Sequence, residues 1–232
     1  DVERSRGLGD VYKRQILGRM IAARIRKALG LHRVRQAISG AAPLPADIQT
    51  WFQRLGIDIL QGYGMSENLA YATATRIGRL KPGSVGEAMP GCEIRIDEKG
   101  EILTRGPATM MGYYKDPEKT QETLVDGWLH TGDKGHLDED GHLFITGRVK
   151  EIFKTLKGKY VAPAPIEMAF GSNPTIDLMC VMGSGMKQPF AMVLLDETVR
   201  DGWPELSAGL LQTMEAVNKG LEAHERLSHL FV

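Results

Sequence analysis

Cysteine is nearly missing from this chain. Cys92 and Cys180 stand alone and far apart, which excludes a disulfide framework and fits a reducing, cytoplasmic setting. An excess of charge is missing too. The 29 basic residues match 29 acidic ones, so electrostatics gives no reason to expect nucleic acid or an anionic membrane as partner. No apolar run approaches the roughly 18 residues that span a bilayer, so the chain reads as soluble and membrane association is not indicated. His130, His136 and His142 flank the hairpin Asp138-Glu139-Asp140-Gly141 without the compact spacing of a zinc cluster, and no metal is assigned to them. Internal repeats and low-complexity stretches are also absent. What remains is an ordinary globular composition over 232 residues, enough for one large domain or one and a half small ones.

The periodicities predict a mixed α/β fold. Ile16, Leu17, Met20, Ile21, Ile25, Ala28 and Leu29 recur at helical spacing between Arg19, Arg24, Arg26 and Lys27, an amphipathic helix closed by Gly30 with a solvated basic face. A strand over 34–38, a helix over 45–55 burying Ile48, Phe52 and Leu55, and a strand over 57–60 follow, the order expected of a doubly wound sheet. Residues 70–90 read as loop with short extended pieces. Strands over 92–96 and 101–105 pair about a turn at Glu98-Lys99-Gly100. A helix over 116–124 takes Asp116 as N-cap and Pro117 at its first position. Later strands are expected over 143–146, 151–154, 159–161, 176–182 and 190–195, and helices over 163–170 and 203–229. Residues 230–232 resemble the start of a further strand. Gly183-Ser184-Gly185 lacks a third glycine and precedes no helix, so it reads as a hairpin turn and not a phosphate loop.

The chemistry concentrates in Gln61-Gly62-Tyr63-Gly64-Met65-Ser66-Glu67, read as a turn at the carboxyl end of strand 57–60, where open α/β sheets bind ligands. Gly62 and Gly64 let backbone approach closely. Tyr63 offers a flat face to a purine, Ser66 a hydroxyl to a phosphate oxygen, and Glu67 a hard oxygen to Mg²⁺. An ordinary Gly-rich turn with an exposed acid is the alternative. Asp133, read as held in the glycine turn 127–133, has the means to accept hydrogen bonds from a ribose diol; an Asx turn satisfying its own backbone is the alternative there.

Three further stretches join it: Ser39-Gly40-Ala41-Ala42-Pro43-Leu44, Trp128-Leu129-His130-Thr131-Gly132-Asp133, and Gly147-Arg148-Val149-Lys150-Glu151 with Lys157-Gly158-Lys159 behind it. In this order the four resemble the second half of an adenylate-forming acyl-CoA synthetase, most like the bacterial long-chain fatty-acid–CoA ligases, from about Ile16 to Val232. The resemblance implies the C-terminal part of a large doubly wound domain with a small β-rich subdomain over 16–147. A truncated small α+β domain over 148–232 would follow, swinging about Lys150. It implies that Gly40, Ala41 and Ala42 lie beside the adenine and acyl chain, that Asp133 and Arg148 serve the ribose, and that Gly158 faces the pantetheine tunnel. ATP or AMP, Mg²⁺ at Glu67 and coenzyme A are the implied cofactors, and a fatty acid the implied substrate. Residues 1–15 do not resemble the family and read as a cloning or assembly scar, with a natural linker as the alternative.

Nothing in this sequence matches the family's Ser/Thr/Gly-rich loop around the β- and γ-phosphates, nor its adenylation lysine. The expectation is therefore an interior fragment, inactive alone, whose parent forms acyl-AMP and then acyl-CoA. The competing readings are a non-catalytic module that binds nucleotide or acyl-AMP, and an aryl- or aminoacyl-adenylating relative. Chain length of the acid and oligomeric state are not legible.

Overall fold

A computed structural model of the chain describes residues 18–42, 44–199 and 202–232. The expected extension over 1–15, Ile16 and Leu17 of the first helix, and Pro43 lie outside the described residues. Residues 18–28 are helical (α1), and the chain leaves that helix through Gly30 at φ 74°.

Strand β1 (Ala37–Ser39) pairs in parallel with β2 (Ile59–Tyr63), and helix α2 (Ala46–Arg54) is the crossover between them. Parallel neighbours need such a crossover because a tight turn cannot reverse the chain twice. Two short antiparallel strands, β3 (Thr73–Ala74) and β4 (Glu87–Ala88), complete this sheet in the order β1-β2-β3-β4. The side chain that α2 buries completely is Gln49, whereas Ile48 and Phe52 are only partly covered. Its amide explains why: Nε2 donates to the Ile59 carbonyl at 2.9 Å, and Oε1 accepts from the Gly83 amide at 3.0 Å.

A second sheet contains β5 (Glu93–Ile96), β6 (Glu101–Arg105), β7 (Leu124–Val125), β8 (Trp128–Leu137) and β9 (Leu143–Arg148), all its pairings antiparallel. Helix α3 (Pro117–Thr123) precedes β7, and Asp116 caps it by accepting the Lys119 amide at 2.9 Å, as the sequence predicts. Beyond β9 come the hairpin β10 (Phe153–Lys154) and β11 (Tyr160–Val161), then helix α4 (Pro163–Phe170). Strands β12 (Ile176–Met182) and β13 (Phe190–Leu195) are antiparallel about the turn at 183–189. Helix α5 (Trp203–Gly220) returns the chain to β14 (Leu230–Phe231), parallel to β13.

The apolar side chains gather into two cores. Tyr63, Ala72, Val85, Ile102 and Leu143 form one; Val161, Ile166, Phe170, Val181, Ala191 and Leu227 form the other. Full burial of each large apolar side chain stabilises by about 1.5–3 kcal/mol, so each core can hold its own set of elements.

Three sequence expectations need correction. Gln61, Gly62 and Tyr63 are strand residues of β2 and not part of a turn, because pairing with β1 and β3 carries the ladder past Leu60. Asp133 lies inside the ten-residue strand β8 and not in a glycine turn. The final helix stops at Gly220 and not at 229: the Asn218 side chain exchanges hydrogen bonds with the Leu227 backbone at 2.8 and 2.9 Å, which fixes 221–229 as a non-helical return.

Candidate active site

The glycine at 132 shapes the site. Leu103 of β6 pairs with His130 and Glu101 pairs with Lys134, so Thr131, Gly132 and Asp133 bulge out opposite Ile102. Gly132 supplies the required φ of 73°, and such bulges re-aim side chains. Thr131 Oγ1 donates to the Ile102 carbonyl at 2.7 Å and accepts the Asp133 amide at 3.1 Å. Glu101 holds the same bulge from behind, accepting the Gly132 amide at 2.8 Å and lying 3.0 Å from His130 Nδ1.

Asp133 is buried, yet its carboxylate is well supplied. Oδ2 accepts the Tyr63 hydroxyl at 2.7 Å and Oδ1 accepts Arg148 Nε at 3.1 Å. A carboxylate has about four acceptor positions, so the two remaining ones can take the hydroxyls of a diol. Burial pushes the Tyr63 phenol well above its ordinary range, and the Asp133 charge adds to this; the Thr131 hydroxyl and Arg148 oppose it. Tyr63 therefore stays a neutral donor to Asp133.

These groups face a cavity of about 290 Å³, near the lower end of the roughly 300–1,000 Å³ typical of small-molecule sites. Of the sequence-predicted residues, Ala41, Ala42, Gly62, Tyr63, Gly64, Asp133 and Arg148 line it. Ala41 does so at φ 67°, a left-handed conformation unusual for a residue with a side chain. Gly40, Ser66, Glu67, Lys150 and Gly158 are outside that lining. Gly40, Ser66, Lys150 and Gly158 are exposed, and Glu67 is half-buried in the 3₁₀ turn Ser66–Asn68.

Glu67 Oε1 accepts the Tyr113 hydroxyl at 2.7 Å, and among the described residues its other oxygen takes no hydrogen bond. Mg²⁺ is bound through one or two carboxylates plus substrate phosphates, so a half-buried acid with an uncommitted oxygen fits that ion. A second acidic group is different. Asp138, Asp140 and His142 bring their ligand atoms within 4.8 Å of one another, but the Lys81 ammonium already bridges Asp138 and Asp140. His136 stacks on Phe144 with ring centroids 5.1 Å apart.

Sequence reasoning missed several contributors. Ala164 and Met168 of α4 line the cavity, as does Glu151 at the end of the stretch that begins at Gly147; nothing local marks the two helix residues, since the packing of α4 brings them there. Gln61 lines the cavity while its Nε2 donates to the Ser84 carbonyl at 3.2 Å and to Gln49 Oε1 at 3.4 Å. The usable signal was a glutamine at 49 among the apolar positions of a helix. Tyr113 was also missed.

Comparison with known proteins gives the constellation its context. The AMP-binding enzyme family matches residues 14–114, and the AMP-binding enzyme C-terminal domain matches 150–232. The long-chain-fatty-acid–CoA ligase FadD15 of Mycobacterium tuberculosis is 38% identical over 193 residues, covering 83% of this chain and 32% of its own length. The long-chain-fatty-acid–CoA ligase ACSBG1 of Rattus norvegicus is 40% identical over 175 residues, 72% of this chain and 24% of its own. The chain thus spans about a quarter to a third of the curated relatives it matches. Among solved structures, the anthranilate CoA ligase AuaEII in complex with anthranoyl-AMP aligns with a TM-score of 0.75 at 26% identity, over 87% of this chain and 41% of that one. The O-succinylbenzoate coenzyme A synthetase MenE of Bacillus subtilis, in complex with ATP and magnesium ion, aligns at 0.71 and 26% identity, over 85% and 42%. Two family descriptions matched in chain order, and adenylate-forming structures that superpose on most of the fold, place the conclusion beyond the motifs alone: the chain belongs to the AMP-binding enzyme family.

Proposed function

We propose that this chain carries the nucleoside part of the active site of an ATP-dependent, AMP-forming acyl-CoA synthetase acting on long-chain fatty acids. The observation that supports this most is the Asp133 carboxylate, held between the Tyr63 hydroxyl and Arg148 on a cavity wall with acceptor positions to spare. In this reading the fatty carboxylate attacks the α-phosphorus of ATP and pyrophosphate leaves. The thiol of coenzyme A then displaces AMP from the acyl-AMP.

Each residue has a physical task. The Tyr63 ring stacks against the purine, Asp133 accepts the two ribose hydroxyls with Arg148 beside it, and the small Gly40, Ala41 and Ala42 leave room for a flat ring or a thin chain. Ser66 orients the α-phosphate. Glu67 holds Mg²⁺, which when bound offsets charge developing on the phosphoryl oxygens.

The division between a large part over 16–147 and a mobile small part over 148–232 belongs to the same proposal. Two facts support it: the two cores draw on residues on either side of position 148, and Lys150 sits in an exposed turn where φ/ψ can change without dragging a packed side chain. After the swing, Gly158 would face the pantetheine arm. A cytoplasmic location is part of the proposal as well; among the described residues no helix is long and apolar enough to cross a membrane.

Because no residue matches the family's phosphate loop or adenylation lysine, this chain by itself should bind AMP without turnover. Calorimetry with AMP, with a non-hydrolysable long-chain acyl-AMP mimic and with an aryl-AMP mimic tests the reading. AMP binding that weakens at least about tenfold in Asp133→Ala supports it, since two hydrogen bonds to a charged group are lost; unchanged affinity removes Asp133 from the site. Tighter binding of the aryl mimic favours the second reading, an aryl-adenylating relative, which the resemblance to AuaEII supports. Pyrophosphate release above background would refute the expected inactivity.

A further inference from the structure

We propose that Tyr113 is a positioning residue for the metal-binding carboxylate, orienting Glu67 so that one oxygen is spent on the phenol and the other is presented to a divalent cation on the nucleotide phosphates. This inference rests on the reading of Glu67 as the Mg²⁺ ligand. The segment around Tyr113 grips Glu67 at two points. The Met110 amide donates to the Glu67 carbonyl at 2.7 Å, and the Tyr113 hydroxyl donates to Glu67 Oε1 at 2.7 Å.

Tyr113 is itself fixed from the start of α3. Its amide donates to Thr120 Oγ1 at 2.9 Å, and that hydroxyl donates to the Asp116 carbonyl at 2.8 Å. Gly112 permits the approach: a Cβ there would come within 2.8 Å of Thr120 Cγ2. Within the turn that bears Glu67, Asn68 Oδ1 accepts the Met65 amide at 2.8 Å. With its backbone carbonyl and one carboxylate oxygen both engaged, Glu67 loses little freedom on taking up a cation, and groups that orient a metal ligand typically govern affinity by about 10- to 100-fold.

The test is titration of Mn²⁺–ATP, followed by water-proton relaxation, and of metal-free AMP, followed by calorimetry. Both use the full chain as wild type, Tyr113→Phe, Glu67→Gln and the double variant, each first shown by circular dichroism to be folded. The expected result is about a tenfold loss of Mn²⁺–ATP affinity in Tyr113→Phe, several-fold more than its loss for AMP, and no further loss when Tyr113→Phe is added to Glu67→Gln. Losses that multiply in the double variant would overturn the inference, as would equal losses for AMP and Mn²⁺–ATP. So would wild-type affinity in Tyr113→Phe when Glu67→Gln is weakened. A Glu67→Gln variant with wild-type Mn²⁺–ATP affinity instead refutes the metal role of Glu67. A wild-type chain that binds no Mn²⁺–ATP at all refutes both.

Discussion

Tyr63 and Asp133, separated by 70 residues in sequence, meet with the phenol oxygen 2.7 Å from Oδ2. The contact joins the first sheet to the second at the cavity, because Tyr63 ends β2 while Asp133 rides the bulge in β8. The site is therefore as stable as the packing between those sheets, and substitutions that touch this contact should move both stability and nucleotide binding.

Tyr63→Phe keeps the ring and removes the donor. A hydrogen bond to a charged group contributes about 1.5–3 kcal/mol, so a loss of that size in denaturant unfolding is expected, together with weaker AMP binding. The pH dependence has a definite sign. Burial raises the folded phenol above its ordinary value, while the unfolded chain titrates near pH 10. The folded state then holds the proton that the unfolded state releases, so this contribution is complete below about pH 10 and falls away above it. Wild type should lose stability more steeply than Tyr63→Phe between about pH 10 and 11; parallel curves would contradict the assignment.

Gln49→Leu should cost about 2–4 kcal/mol, because it removes the partners of the buried Ile59 carbonyl and the half-buried Gly83 amide. Thermal unfolding would show it. The loop bearing Gly83 and Val85 lines the cavity, so AMP affinity should fall in the same variant.

Gly132→Ala probes the bulge without a clash, since no heavy atom lies within 4 Å of the added Cβ. The cost is backbone strain alone, about 1–2 kcal/mol for a left-handed residue with a side chain. Relief of that strain turns Asp133 away, so AMP binding should weaken more than stability does. Affinity equal to wild type would show that the bulge does not aim the carboxylate.

Lys81→Met tests the clamp between the loop at 81 and the hairpin at 138. The Lys81 ammonium holds the Asp138 carboxyl below its usual range. A depressed folded pKa gives stability that is present above the unfolded value near 3.9 and is lost as the pH falls through the lower folded value. Urea midpoints measured from about pH 5 downward should drop more steeply in wild type than in Lys81→Met.

Much of the architecture was legible from local pattern. The predicted bounds of α4, β12 and β13 coincide with those observed, because each is a compact apolar run set off by Pro, Gly or a polar turn. Asp116 and Pro117 announced their helix through its cap and first position. The end of α5 was not legible, since Leu221 keeps the helical spacing while the Asn218–Leu227 exchange pulls the chain away. The same limit applied to Gln49, whose burial depends on an amide network contributed by β2 and the loop at 83.

By itself, the sequence determined which residue types were on offer: a tyrosine between glycines, an aspartate after a glycine, an arginine before the linker, and too little cysteine or net charge to point elsewhere. Those features are local, and spacing along the chain expresses them. Only the tertiary structure decided which of them meet. It placed Asp133 on a bulged strand between Tyr63 and Arg148, and it set Glu67 against Tyr113, 46 residues away in sequence. Contacts of that separation are set by sheet pairing and core packing, and no local period encodes them.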